Sequence, residues 1–87
     1  MRFAKVHFSE TGRYWLGRET TTQRLFLGVP LSNSRIDYIE YYWLTADQHE
    51  RFAIDKKAAT EFADSCRRRE RDDILVFPAR PDRGSPR

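Results

Sequence analysis

The chain changes its hydrophobic period near the middle, alternating with period two as far as Leu44 and recurring every three to four residues beyond it. Residues 2 to 8 place Ala4, Val6 and Phe8 on one side and Phe3, Lys5 and His7 on the other, and Glu10-Thr-Gly12 supplies a turn after them, the pattern of a first β-strand. Arg13 to Arg18 centres on Tyr14-Trp15-Leu16, and Gln23 to Val29 carries Leu25, Phe26, Leu27 and Val29. Two more short strands are predicted there, joined through the polar residues Glu19 to Thr22. Val29-Pro30 is expected to end the third strand, since proline cannot donate to a ladder, and Ser32-Asn33-Ser34 reads as the loop beyond it. Four of the twelve aromatic residues then crowd into Ile36 to Trp43, which predicts a fourth strand running to Leu44.

Thr45-Ala-Asp-Gln48 is a capping-box sequence, in which the threonine oxygen and the glutamine side chain satisfy helix-end donors reciprocally. A short helix to Phe52 or Ala53 is predicted, with Asp55 capping a second whose Ala59, Phe62, Ala63 and Cys66 form a buried stripe at helical spacing. One continuous helix from Ala46 to Arg71 stays open, because no glycine or proline forbids it. Ile74-Leu-Val-Phe77 has the look of a buried final strand. Residues 78 to 87 hold three prolines and no large apolar side chain, and are expected to form a mobile tail outside a single domain of residues 1–77. The order β-β-β-β-α-α-β predicts an α+β fold, a mostly antiparallel sheet of four to five strands with one or two helices packed on one face.

Eighty-seven residues make one domain with a modest core and no room for a deep, multi-walled active site. The net charge of +3 hints at nucleic acid until it is located along the chain: Arg80, Arg83 and Arg87 against Asp82 put +2 in the last ten residues and leave +1 on the body. Electrostatic nucleic-acid binding needs a concentrated positive face instead. Thirteen of the sixteen basic residues are arginine, in keeping with a GC-rich bacterial genome. The single cysteine cannot form an internal disulfide, and Cys66, His7 and His49 are too few to hold zinc unless carboxylates join them, so no metal or other cofactor is expected. The polar N-terminus does not read as a signal peptide, and no apolar run is long enough to span a bilayer. These features read as a cytoplasmic, soluble protein without a membrane partner.

No catalytic motif competes with the aromatic strand as a candidate site. One of its faces carries Ile36, Tyr38, Glu40, Tyr42 and Leu44, and the other carries Asp37, Ile39, Tyr41 and Trp43. With Ile39, Tyr41 and Trp43 in the core, Tyr38, Glu40 and Tyr42 are expected to face a protein partner, with Asp37 at the strand end extending an acidic patch. Tyrosine rings would supply contact area at low entropy cost, and the carboxylates direction. The competing reading is a half-buried strand whose tyrosines cover the core edge and whose glutamate pairs with an arginine. An alternative basic site for nucleic acid is Arg67, Arg68, Arg69 and Arg71, which also read as a solvated helix end opposing the macrodipole. His7 and His49 form a conceivable ribonuclease acid–base pair, and Cys66 reads as a small buried hydrophobe.

The run Val29-Pro30-Leu-Ser-Asn33, the strand Ile36-Asp-Tyr-Ile-Glu-Tyr-Tyr42 and the helical Ala63-Asp-Ser-Cys-Arg-Arg-Arg-Glu70 together resemble, in texture over residues 23 to 77, small single-domain bacterial immunity proteins of polymorphic toxin systems. That resemblance implies a cytosolic, non-enzymatic inhibitor that binds and neutralises a cognate toxin domain. The alternative expectation is a small nucleic-acid-binding or regulatory protein that uses the arginine-rich helix end and tail.

Overall fold

The computed structural model describes residues 2–86. β1 (Phe3–Ser9), β2 (Tyr14–Glu19), β3 (Leu25–Ser32) and β4 (Asp37–Leu44) form an antiparallel meander in which each strand pairs with the next. α1 (Ala46–Ile54) and α2 (Lys56–Arg67) follow and pack on one side of it, the α+β arrangement that the change of period predicts. The capping box at Thr45 is made: its hydroxyl accepts from the Gln48 amide at 3.1 Å, and Gln48 Oε1 accepts from the Thr45 amide at 2.9 Å. Asp55 divides the helical region without glycine or proline. Its backbone is extended (φ −100°, ψ 92°), and its carboxylate accepts from the Ala58 amide at 3.1 Å, which caps α2.

Ala59, Phe62, Ala63 and Cys66 are all buried, facing Leu16, Leu27, Val29, Tyr42 and Leu44 across the main core. Burial among these apolar groups pushes the Cys66 thiol up to about 12, so it stays protonated and inert at neutral pH.

The polar turn between β2 and β3 is tightly determined. The Glu19 carboxylate is fully buried and accepts from the Thr21 amide at 2.7 Å, the Thr22 amide at 2.8 Å and the Thr22 hydroxyl at 2.7 Å. Gln23 closes the turn in the left-handed region at φ 64°. Those hydrogen bonds, the Thr22 hydroxyl first, pull the Glu19 pKa down from its ordinary 4.5 to about 2.

The structure corrects three expectations. β3 continues through Pro30 to Ser32, because its edge toward β2 has no ladder partner between Gly28 and Leu31 and the missing N–H interrupts nothing there. Residues 74–77 form no strand. A 3-10 turn at Asp72–Ile74 leads into an isolated bridge, Tyr42 to Leu75, and the Val76 amide donates to the Tyr41 carbonyl at 2.9 Å. The tail beyond Phe77 is docked, and its β5 (Ser85–Pro86) pairs with Leu31 and Ser32 on the edge of β3 that β2 vacates. Gly84 makes that approach possible, since a Cβ there would lie 2.3 Å from the Ser32 carbonyl oxygen.

Arg83 is the reason the tail docks. Its guanidinium donates to Glu40 Oε1 at 2.8 Å and to both oxygens of Asp72 at 2.8 and 2.9 Å, and the Tyr42 hydroxyl donates to the same Glu40 oxygen at 2.9 Å. The side chains of Arg83 and Glu40 are 10% and 8% exposed. Composition counts against tail docking, but it misses a buried carboxylate that needs a cation. Arg83 in turn holds Asp72 below its ordinary carboxylate range.

Two predictions follow from these polar anchors. Replacing Arg83 with alanine should destabilise the fold by about 3–5 kcal/mol, because it strands a buried carboxylate, and deleting residues 79–86 should cost at least as much. A thermal melt unchanged by either change would mean that the tail is not docked in solution. For Glu19 the folded-state pKa lies below the unfolded one, so its contribution is complete above pH 4.5 and is lost as pH falls toward about 2. Melting temperature should drop across that window, and Glu19→Gln should flatten the slope; an identical pH profile in the variant would remove the carboxylate from the account.

Candidate functional site

Paired residues in an antiparallel ladder point to the same face. The register therefore places Lys5, Gly17, Phe26 and Trp43 in one row across the sheet face away from the helices, and Phe8, Trp15, Gly28 and Tyr41 in the next. Each row contains one glycine. A Cβ on Gly17 would lie 2.3 Å from the Ala4 carbonyl oxygen and 2.6 Å from the Phe26 ring, so its absence lets β1 close in beside its bulge between Lys5 and His7. The sheet curls as a result. Phe3 of β1 reaches over to stack on Tyr41 of β4, with centroids 4.0 Å apart at 12°, and meets Phe26 edge-on at 5.2 Å. Phe77, after the bridge, packs edge-on against Phe3 at 5.8 Å. Phe26 is completely buried beneath this cluster, which forms a small second core on a face that no helix covers.

The rest of the face is open. Two shallow clefts adjoin at Tyr38 and Ile39. One, of about 460 Å³, is walled by Phe8, Trp15, Pro30 and Ile39 with Lys5, Arg13 and Asp37 in its lining. The other, of about 280 Å³, is walled by Tyr41, Leu75, Phe77 and Pro78, with Glu40 and Arg80 in its lining. Cations lie over rings at several points: Arg24 is 3.9 Å from the Trp43 centroid, Lys5 is 5.4 Å from Trp15, and Arg80 is 5.1 Å from Tyr38.

The partner face expected from the sequence is the interior one. Tyr42 is 1% exposed and Glu40 8%, while Tyr38 is half-buried with its hydroxyl accepting from the Gly84 amide at 2.7 Å. Asp37 is exposed at the start of β4. The physical reason is the Arg83 ion pair, which lets Glu40 enter the core and sends Ile39, Tyr41 and Trp43 to the other side. Desolvation, with the Glu40 contact adding to it, raises the Tyr42 pKa well above the usual phenol range, so that hydroxyl stays protonated as a donor.

The four arginines of the alternative site do not converge on a ligand. Arg67 donates to the carbonyls of Gly12 and Arg13 and to Asp64, tying α2 to the β1–β2 turn. Arg68 pairs with Glu70 at 2.9 Å, and Arg71 donates to the Ser65 hydroxyl at 3.0 Å while lying over the Phe62 ring. Arg69 ends the helix in the left-handed region at φ 62°. Its amide donates to the Cys66 carbonyl and the Glu70 amide to that of Ser65, which is a Schellman motif with arginine where glycine is usual. His7 lies on exposed β1, whereas His49 is half-buried in α1. The His49 Nε2 has no hydrogen-bond partner among the described residues, and burial together with nearby Arg18 lowers its pKa. No bond joins the two imidazoles. Among the described residues no three His, Cys, Asp or Glu side chains cluster as a metal site would require, and no helix is long and apolar enough to cross a membrane.

Phe8, Trp15, Ile39, Trp43 and Phe77, which compose much of the open face, were absent from the expected site. The signal for them was present as alternation: Trp15 lies in register with Phe8, and Trp43 with Phe26. It was obscured because both faces of β4 are aromatic. Comparison with protein-family models, with curated proteins and with solved structures finds no match to this chain.

The strained helix end gives a direct test of the local geometry. Arg69→Gly should stabilise the fold by about 0.5–1 kcal/mol, since glycine adopts the left-handed conformation without a Cβ penalty. A destabilised variant in a denaturant titration would assign the Arg69 side chain a contact that outweighs its backbone strain.

Proposed function

We propose that this chain is a non-enzymatic protein-binding module, acting in the cytoplasm as an immunity-type inhibitor, and that it holds a cognate toxin domain against the open face of its sheet. One observation carries the reading: an aromatic sheet face without a helix over it, where Trp15, Ile39, Tyr41 and Trp43 are all half-buried around two adjoining clefts. Interface cores are enriched in such rings and in arginine, and small domains seldom leave an apolar patch of this kind open without a partner. Both clefts open to solvent on the same face and adjoin at Ile39, so that neighbouring side chains of one partner can enter both. The contact is thus assigned to the face opposite Tyr42 and Glu40.

The test is co-expression with the product of each neighbouring gene that arrests growth when expressed alone, with restored growth as the readout. The parent chain should restore growth, and Ile39→Lys, checked to melt like the parent, should not, because it places a charge where the two clefts meet. Equal rescue by the variant would move the contact off this face. Failure of the parent to rescue would remove the immunity reading.

A further inference from the structure

We infer that the partner segment seated in the two clefts is acidic, with carboxylates flanking two apolar side chains that enter on either side of Ile39. This rests on the reading of the open face as a protein-binding surface and specifies the chemistry that the surface selects.

The charge distribution around the clefts is the first argument. Most carboxylate oxygens near this face are engaged by the chain itself. Asp37, in the lining of the larger cleft beside Lys5 and Arg13, also has a partner within the chain, whereas the buried Oε2 of Glu40 has none among the described residues. Glu40 faces Arg83 in the core, and Asp72 takes the other arm of the same guanidinium. Glu19 is enclosed by the amides of its own turn. Asp82 pairs with Arg80 at 3.0 Å and accepts from Asn33 at 3.2 Å. The cations are disposed differently. Lys5, exposed on β1, has its ammonium over the Trp15 ring at the cleft wall, and the Arg24 guanidinium lies over Trp43 further along the same face. Neither makes an ion pair within the described residues. The Arg80–Asp82 pair is 44% and 50% exposed, so an incoming carboxylate can exchange with Asp82 at little cost. A positive rim around apolar clefts favours an acidic partner in both encounter and register.

The second argument separates an acidic polypeptide from the other polyanion, single-stranded nucleic acid. Bases bind such sheets by stacking on open ring faces. Here most ring faces are taken: Phe3 lies flat on Tyr41, Arg24 lies over Trp43, Lys5 is over Trp15, and Phe26 has no exposure at all, which leaves the exposed Phe77 at the smaller cleft. A guanidinium lying on a ring still presents N–H donors at its edge, which suits a carboxylate approaching from the side. The clefts are then left for aliphatic or aromatic anchors.

The experiment is selection of a phage-displayed library of random dodecapeptides against the full-length chain, followed by affinity measurement for one synthetic peptide from the enriched pool. Enriched sequences should combine Asp or Glu with large apolar residues. The synthetic peptide should bind at least ten-fold more weakly to Lys5→Glu and to Ile39→Lys, and about equally to Lys5→Arg. Lys5 is exposed, so its variants keep the test valid if the Ile39 variant misfolds. Enriched peptides without an excess of carboxylates, or indifferent to Lys5→Glu, would overturn the acidic assignment while leaving peptide docking in place. No cleft-dependent peptide at all, together with tryptophan quenching by a dodecamer of thymidylate, would overturn the protein-binding reading as well, in favour of nucleic acid.

Discussion

The buried pairing of Arg83 with Glu40 decides which way the sheet faces. A strand with aromatic residues on both sides can be seated in either of two orientations, because a rotation exchanges Tyr38, Glu40 and Tyr42 for Ile39, Tyr41 and Trp43. A lone carboxylate would forbid the observed choice, since an unpaired charge in the core is far more costly than an exposed ring. With the guanidinium at 2.8 Å and the Tyr42 hydroxyl at 2.9 Å, both on Oε1, that obstacle is largely offset, while Oε2 stays buried without a hydrogen-bond partner among the described residues. The helices then cover one face, and the other keeps its rings and its clefts.

The same contact organises the C-terminal segment. Residues 72 to 77 run along the free edge of β4, Phe77 joins the ring cluster, and the chain returns so that Ser85 and Pro86 pair with β3. The wall of the smaller cleft is therefore made largely of a segment held by Arg83 and by the close approach at Gly84. Stability and recognition share their parts here: loosening the strap would open the core and dismantle a proposed contact surface at once.

Much of the architecture was legible in the residues because its determinants are local. The switch of period at Thr45, the capping box, the second cap at Asp55 and the stripe of Ala59, Phe62, Ala63 and Cys66 each act within a turn or two of helix. What escaped was non-local. A half-buried strand with Glu40 paired to an arginine was one of two readings the residues left open, but they could not decide for it, because the counter-charge lies 43 positions away in a proline-rich stretch whose composition argues for mobility. Pro30 read as a strand end because the gap in the ladder opposite it is a property of the assembled sheet. The arginines after Ser65 read as a charge cluster, whereas Arg67, Arg68 and Arg71 are each committed to a nearby acceptor.

The order in which the chain is made gives the Arg83 contact a further consequence. In chain order the meander and both helices precede the cation that neutralises Glu40. Until Arg83 emerges, a nascent sheet in the final orientation would hold an unbalanced negative charge where α2 must settle. The alternative orientation, with Glu40 in water, suffers no such conflict. Folding in chain order should therefore pass through an early, loosely packed sheet that commits to its orientation only once Arg83 reaches Glu40 and Ser85–Pro86 pairs with β3.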